Sequence, residues 1–409
     1  MRRQALLLAI GVACAASVSA QSIDGYPDSR FIEQRERVTP AAGAPIELRF
    51  LIAREMRDQS PRIVAATRAA ITMLSEWLGP PTAAALTVAA VPWRGDPSNE
   101  RPGVVTAPVR WLAPARDRST ERALIASLVN HYWGDGASRS SFEDAIRLYT
   151  SSRAIHQLLE GGRPALGLNF ETPRFFGGVV PFPLRSVVLS PPSADPRPRV
   201  IFDAAGSSGI ADAGVRRAVK GLQTIERYAG WPTMLQALKR MRESGRVDPE
   251  GLAAALADVR GTDLRSLVAG CLDADAAFDY SLDGLQSAPG AAGLVETTVT
   301  ISRRGPGRFA IAAGGDDPEA AIPLVIRFQD GSELRDYFDG AAPSLTLVYS
   351  ARTLAVARAI DPDTMLLLDG NRRNNAIVRD APMSPVGIRL ALHWMSWLQN
   401  AMLSYTALL

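Results

Sequence analysis

The sequence is poor in histidine, cysteine and lysine. Its 409 residues include three histidines and two cysteines, and Lys220 and Lys239 are the only lysines. No two histidines are four residues apart, so no single predicted helix offers the histidine pair that could converge on one zinc ion. Positive charge comes from arginines scattered among acidic residues, and the net charge is only +3. This pattern does not indicate a nucleic-acid-binding stripe, so we expect no nucleic-acid partner.

Residues 1–20 have the pattern of a secretory signal. Two arginines precede an apolar run, and small residues precede an expected cleavage site after Ala20. We therefore expect an exported protein, located in the periplasm or the cell envelope. Cys14 lies in a lipoprotein-like context without the usual leucine, which leaves lipidation open as an alternative. After cleavage Cys271 would be the only cysteine, so we expect no internal disulfide and a buried core thiol.

A mostly helical domain is predicted over residues 46–285. Residues 21–45, before it, mix charge, proline and glycine without a clear period and therefore predict a linker. The domain begins with a strand, an amphipathic helix and two short strands, over 46–53, 61–78, 85–91 and 104–111. Further helical patterns cover 123–160 (two helices), 213–228, 233–244, 249–259 and 263–276.

Residues 290–380 change to β-branched, alternating runs. These runs cover 295–302, 308–313, 322–328, 344–349 and 354–360, and turn signals such as Asp330-Gly331 separate them. The pattern predicts an immunoglobulin-like β-sandwich, which is usually a stabilising or positioning module rather than a catalytic one.

Residues 384–409 predict a C-terminal amphipathic helix. Ser384 and Pro385 form a good helix start, and residues 388–409 contain no acidic side chain. The helix would be apolar or aromatic apart from Gln399, Thr406 and one narrow polar stripe: Arg389, His393, Ser396, Asn400 and Ser404. Three placements stay open, namely in the membrane interface, across the bilayer, or docked on the protein's own core.

Two short motifs lie in the predicted helices of residues 123–160. They are His131-Tyr132-Trp133-Gly134 and Phe142-Glu143-Asp144-Ala145. This segment resembles the zinc-site region of the aminopeptidase N-like (gluzincin) zinc metallopeptidases, and the resemblance extends over roughly residues 46–375. It implies an α+β multidomain protein: a gluzincin (thermolysin-like), mostly helical domain, then an immunoglobulin-like β-sandwich and a C-terminal amphipathic helix.

The zinc ligands that the resemblance would require are not present. In the register without a gap, Ala126 and Asn130 stand at the two histidine positions. Ser127 then stands at the general base and Tyr149 at the glutamate ligand. Alanine cannot bind a metal, and serine cannot replace a carboxylate base.

A register shifted by one residue does not restore the site. It places Ser127 and His131 at the two histidine positions, Leu128 at the general base and Thr150 at the third ligand. Only one standard zinc ligand remains in this register. We therefore expect zinc to be lost, and we assign no catalytic residue and no metal ligand; a site built from His131, His156 and a carboxylate remains an alternative.

Two further positions follow from the resemblance. Aligning Thr224-Ile225-Glu226 with the family's TLE places Val215 where active members carry the tyrosine that stabilises the oxyanion. Glu100 matches the glutamate that binds the free amino terminus of a peptide in active members. An exposed loop glutamate is the alternative interpretation of Glu100.

The resemblance, together with these losses, implies an exported pseudopeptidase that acts by binding a peptide or protein partner in the cell envelope. One alternative is a hydrolase or peptidase with a rebuilt site, since Ser152 and His156 are four residues apart on a predicted helix. Another is a structural subunit of a membrane-associated complex, anchored through residues 388–409.

Overall fold

The computed structural model describes most of the predicted domains. Glu100, the expected signal in residues 1–20 and nearly all of the predicted helix 384–409 lie outside the described residues. The described residues are 30–40, 44–81, 83–92, 104–109, 118–134, 140–159, 213–273, 277–309, 322–338, 340, 342–363, 365–378 and 394–395.

A four-stranded sheet opens the described chain. Its strands are β1 (Phe31–Val38), β2 (Ile46–Ala53), β3 (Ala85–Pro92) and β4 (Val104–Val109), in that spatial order. β1 pairs with β2 antiparallel, whereas β2, β3 and β4 are parallel. Helix α1 (Ser60–Leu78) connects β2 to β3, as a parallel pair requires a crossover connection.

The prediction of a linker over residues 21–45 is wrong for Phe31–Val38, which form β1. The strand has four charged residues in its middle, so it lacks the regular apolar alternation that marks a strand in a sequence. Its charges lie at the open edge of the sheet, where Glu33 accepts a hydrogen bond from Arg49 of β2 at 2.9 Å. β1 is therefore a strand because its main chain pairs with β2 along its whole length, and its side chains carry no strand pattern.

The described residues contain six further helices, and these form where the sequence predicts helical patterns. Asp248 caps one of them, since its Oδ1 accepts a hydrogen bond from the backbone N–H of Gly251 at 2.6 Å. Gly245 and Gly261 end two of them in the left-handed conformation that glycine tolerates best. The helices are α2 (Ser119–Trp133), α3 (Ser141–Leu159), α4 (Ala213–Ala229), α5 (Trp231–Ser244), α6 (Pro249–Arg260) and α7 (Arg265–Leu272).

After α7, the described residues form two antiparallel sheets. One has the order β5-β6-β9, and the other has the order β11-β10-β7-β8. The strands are β5 (Tyr280–Pro289), β6 (Val295–Arg303), β7 (Ile322–Phe328), β8 (Glu333–Phe338), β9 (Ser344–Ala351), β10 (Ala355–Ile360) and β11 (Ala376–Val378).

The predicted border between the helical and β-rich parts needs a correction. The sequence places residues 280–285 in the helical domain, but they begin β5, which pairs with β6 over almost its whole length. The predicted helix 263–276 also ends earlier, at Leu272. β5 has a polar and small-residue composition and a register shift between Leu282 and Gly284, and both features hide a strand from pattern analysis.

The helical and β-rich parts share one hydrophobic core. The backbone N–H of Leu367 donates to Thr224 Oγ1 of α4 at 3.2 Å, and the rings of Tyr228 and Phe309 meet edge to face. Cys271 is fully buried, as predicted, and burial raises the pKa of its thiol to about 12. Within the described ranges, no helix is long and apolar enough to cross a bilayer.

Candidate functional site

The predicted former zinc positions of α2 all lie in described structure. Ala126 and Asn130 are half-buried, whereas Ser127 and His131 are buried, with only 6% and 4% of their surfaces exposed. The Ser127 hydroxyl has no hydrogen-bond partner, although it is buried. Ser127 and His131 lie one turn apart, yet Ser127 Oγ does not bond to the imidazole, so α2 does not present a coupled serine–histidine pair.

Tyr149, at the third-ligand position of the gap-free register, contacts α4. Its ring is fully buried, and its O–H donates to Glu226 Oε2 at 2.5 Å. Arg153, one turn further along α3, forms an ion pair with the other carboxylate oxygen, Oε1. Both oxygens of Glu226 are therefore engaged, and the three side chains connect α3 to α4.

Burial dominates the electrostatics of this cluster. It raises the pKa of Glu226, and the positive charge of Arg153 and the hydrogen bond from Tyr149 lower it in part. Burial also raises the pKa of Tyr149 well above its ordinary value, and the neighbouring carboxylate of Glu226 raises it further. The phenol is thus held protonated as a hydrogen-bond donor, which is the wrong state for a metal ligand.

Arg153 also contacts an aromatic ring of α5. Its guanidinium lies 4.3 Å from the centroid of the Trp231 ring at the start of α5, and Trp77 of α1 meets Trp231 edge to face at 4.9 Å. The side chain keeps 29% of its surface exposed. Arg153 therefore forms a cationic rim above the buried Tyr149 and the half-buried Glu226.

Thr150, the third-ligand position of the shifted register, is engaged as well. Its hydroxyl accepts a hydrogen bond from Trp133 Nε1 at 3.2 Å and donates to the Ile146 carbonyl at 2.7 Å. Next to Trp133, the Tyr132 hydroxyl bonds to Ser75 Oγ of α1 at 2.8 Å. The motif that carries the family resemblance on α2 thus packs this helix against α1 and α3.

Arg242 of α5 holds the ends of α1 and α2 together. Its three guanidinium nitrogens donate to the carbonyl oxygens of Leu78, Pro80 and Tyr132, at 2.6, 2.6 and 2.7 Å. These carbonyls lie at or near helix C-termini, where the helix dipole favours a cation. The position of α2 against α1 is consequently set by a residue that no sequence motif marks.

The residues of this region do not fit a zinc ion. The gap-free register offers only an amide and a phenol that is bonded to Glu226, and the shifted one offers a single imidazole beside two hydroxyls. Among the residues that the structure describes, no group of three His, Cys, Asp or Glu side chains could hold a metal ion. Val215, at the position of the oxyanion tyrosine, is a buried aliphatic residue on α4.

The alternative serine pair gains no support from the backbone. Ser152 lies in the middle of α3 rather than on a sharp strand-to-helix turn, the arrangement that exposes a nucleophilic serine. Ser152, Arg153 and His156 instead share the face of α3 that carries Tyr149. The pairing of Tyr149 with Glu226 was not predicted, because the residues are 77 positions apart.

Comparison with known proteins adds a fold likeness. No family model and no curated protein matches the sequence. The crystal structure of Legionella pneumophila aminopeptidase A in complex with aspartic acid is similar, with a TM-score of 0.51 and 10% sequence identity. The fold is peptidase-like. The match covers 83% of this chain and 38% of the aminopeptidase chain, so the likeness concerns the fold and leaves activity and partners to be proposed.

Proposed function

We propose that this chain is a degenerate relative of the aminopeptidase N-like (gluzincin) metallopeptidases that binds a peptide or protein partner without hydrolysing it. The observation that carries the proposal is the state of Tyr149. This residue aligns with the glutamate ligand in the gap-free register; it is fully buried, and its O–H donates a hydrogen bond to Glu226. A side chain in that state supports packing between helices and does not support metal chemistry.

The losses are mutually consistent, which favours a binding role over a damaged enzyme. In both registers the zinc ligands are incomplete, and the general base and the oxyanion donor are replaced. Three of the residues at these positions, Tyr149, Thr150 and Val215, are buried in the helical core. A change in one ligand alone would leave the remaining ligands grouped. In this chain the same positions instead make hydrogen bonds between helices, since Thr150 accepts from Trp133 and Tyr149 donates to Glu226.

The peptidase-like fold supports a peptide as the ligand class. The exposed part of Arg153, beside half-buried Ser152 and His156, provides a polar rim at which a peptide could dock. The pattern of residues 1–20 supports export to the cell envelope. The two later sheets are proposed to form an immunoglobulin-like sandwich that supports this rim through the shared core.

The first test is zinc content and turnover of the mature chain, purified without a histidine tag or chelator. We expect zinc well below one equivalent, and no aminopeptidase activity on a panel of aminoacyl-coumarin substrates. Turnover that survives purification, disappears with chelator and returns with zinc would refute the proposal.

A peptide array probed with the full chain tests the binding role. Peptides that bind are compared with two variants of α3: Ser152→Arg, which places bulk on the Tyr149 face, and Gln157→Arg, which adds the same group at an exposed position. We expect Ser152→Arg to lose binding at least tenfold and Gln157→Arg to keep it. Equal binding by both variants, or an array without specific binding, would contradict a peptide site at this rim.

A further inference from the structure

Strand β9 is the outer strand of the β5-β6-β9 sheet. It pairs with β6 through all eight of its residues, and no strand in the described part of the chain pairs with its other side. Its sequence, SLTLVYSA, has no charged residue, no proline and no glycine. Such an edge exposes a row of backbone N–H and C=O groups that another strand can use.

The other sheet edges of the described structure carry features that discourage pairing. β1 and β8 contain several charged residues, and β4 contains Pro108, which has no N–H to donate. β5 has a charge at Asp283, a register shift and Pro289 at its end, and β11 has only three residues. β9 is therefore the one edge in these described sheets without such protection.

The side chains of β9 alternate strictly between two faces. Leu345, Leu347 and Tyr349 are half-buried and pack on the core, whereas Thr346 and Val348 are exposed, Val348 to 59%. Tyr349 fixes this orientation, because its O–H donates to Asp336 Oδ2 of β8 in the facing sheet at 2.5 Å. The strand therefore has a defined orientation, with one face on the core and the other exposed.

We propose that β9 pairs antiparallel with β9 of a second copy of this chain, around a two-fold axis at Leu347. In an antiparallel pair, residues directly opposite each other lie on the same face of the sheet. This register places Leu345 opposite Tyr349 of the second copy on the core side, and Thr346 opposite Val348 on the exposed side. The two three-stranded sheets would join into one continuous sheet of six strands.

The composition of β9 is self-complementary in this register. A two-fold interface brings the same patch of both copies together, so a charge at position 347 would meet its own copy, and a charge next to the axis would lie close to a like charge. β9 has none. Each exposed pair combines a threonine with a valine, and β-branched residues of this kind favour a strand pair. These features favour a second copy as the partner strand, because both strands of the pair then lack charge.

Charge substitutions at positions 346 and 348 test the register itself. In Thr346→Lys/Val348→Lys, each lysine would face a lysine of the other copy, and in Thr346→Lys/Val348→Glu each lysine would face a glutamate. The control is Gln286→Lys, because Gln286 is exposed on β5 and aligns with Val348 through Thr298 of β6, at the opposite edge of the same sheet. Sedimentation velocity of the full chain gives the oligomeric state, and circular dichroism confirms the fold of each variant.

We expect a wild-type dimer at protein concentrations up to about 100 µM, where a micromolar affinity populates it. The dilysine variant should weaken the dimer at least tenfold, while the lysine–glutamate variant and Gln286→Lys should retain it. A monomeric wild type would overturn the proposal. A dimer that all variants share equally, or one that the lysine–glutamate variant loses along with the dilysine variant, would overturn it too.

Discussion

Replacing Tyr149 with phenylalanine tests whether the cluster of Tyr149, Arg153 and Glu226 holds α3 against α4. The change removes one hydroxyl and leaves the buried ring in place, so it makes almost no cavity. Glu226 then loses the hydrogen bond to its Oε2 at 2.5 Å and retains Arg153 on Oε1. A buried carboxylate oxygen is left without its donor, which costs more than losing a neutral hydrogen bond.

The expected loss of unfolding free energy is about 1.5–3 kcal/mol, the range for a hydrogen bond to a charged group. Tyr132→Phe is the matched control, because its hydroxyl bonds to neutral groups, Ser75 Oγ and the Ile71 carbonyl. This control should cost about 1 kcal/mol. The expected order of the two losses rests on the charge of the acceptor and not on ring burial, since both rings are buried.

Urea unfolding, followed by far-UV circular dichroism, measures both losses. The comparison requires that each variant has the same m-value as the wild type. A double-mutant cycle with Glu226→Gln isolates the coupling between the phenol and the carboxylate. We expect a coupling of about 1 kcal/mol or more, since the two side chains are in direct contact. A loss for Tyr149→Phe below about 0.5 kcal/mol, or no coupling to Glu226, would refute the idea that this pair locks α3 to α4.

Three further predictions concern packing and charge elsewhere. Arg242→Met should lower the unfolding free energy by about 2–4 kcal/mol, because three carbonyl acceptors lose a charged donor. Arg242→Lys should recover only part of the lost free energy, and urea unfolding measures both variants. Gly221→Ala should cost about 1–3 kcal/mol and lower the melting temperature, since its Cβ would lie 2.4 Å from the Cys271 carbonyl oxygen; an unchanged melting temperature would mean that α4 and α7 separate easily. Burial raises the pKa of the Asp361 carboxyl from 3.8 to about 6. The folded state therefore binds the carboxyl proton more tightly than the unfolded chain does. The stability that this proton contributes is lost as pH rises through about 6. The stability of the wild type relative to Asp361→Asn should therefore fall by up to about 3 kcal/mol between about pH 4 and pH 7, and a difference that stays constant with pH would contradict this assignment.

Local pattern was sufficient for most helices and strands. The 3.6-residue period predicts α1 and α4 to within a few residues, and the alternation of β6 and β7 predicts strands that the structure contains. It failed where charge or small residues mask the period. β1 is charged because it lies at an edge, and β5 is interrupted by a register shift.

The expected loss of zinc binding is an inference from residue types alone, because alanine, leucine and valine have no group that binds a metal or donates a proton. What occupies the site instead required the fold. Tyr149 and Glu226 are 77 positions apart, and Arg242 reaches carbonyls 110 and 164 positions away. Nothing in the local sequence of either partner indicates such a contact.

The sequence by itself therefore determined most element types and their order, and it determined which positions lack a group that binds a metal or donates a proton, since these depend on side chains and their spacing. The tertiary structure alone decided which buried donors meet which acceptors and which strand lies at an open edge. Both depend on how distant segments pack, because a buried polar group must find its partner wherever the fold brings one within reach.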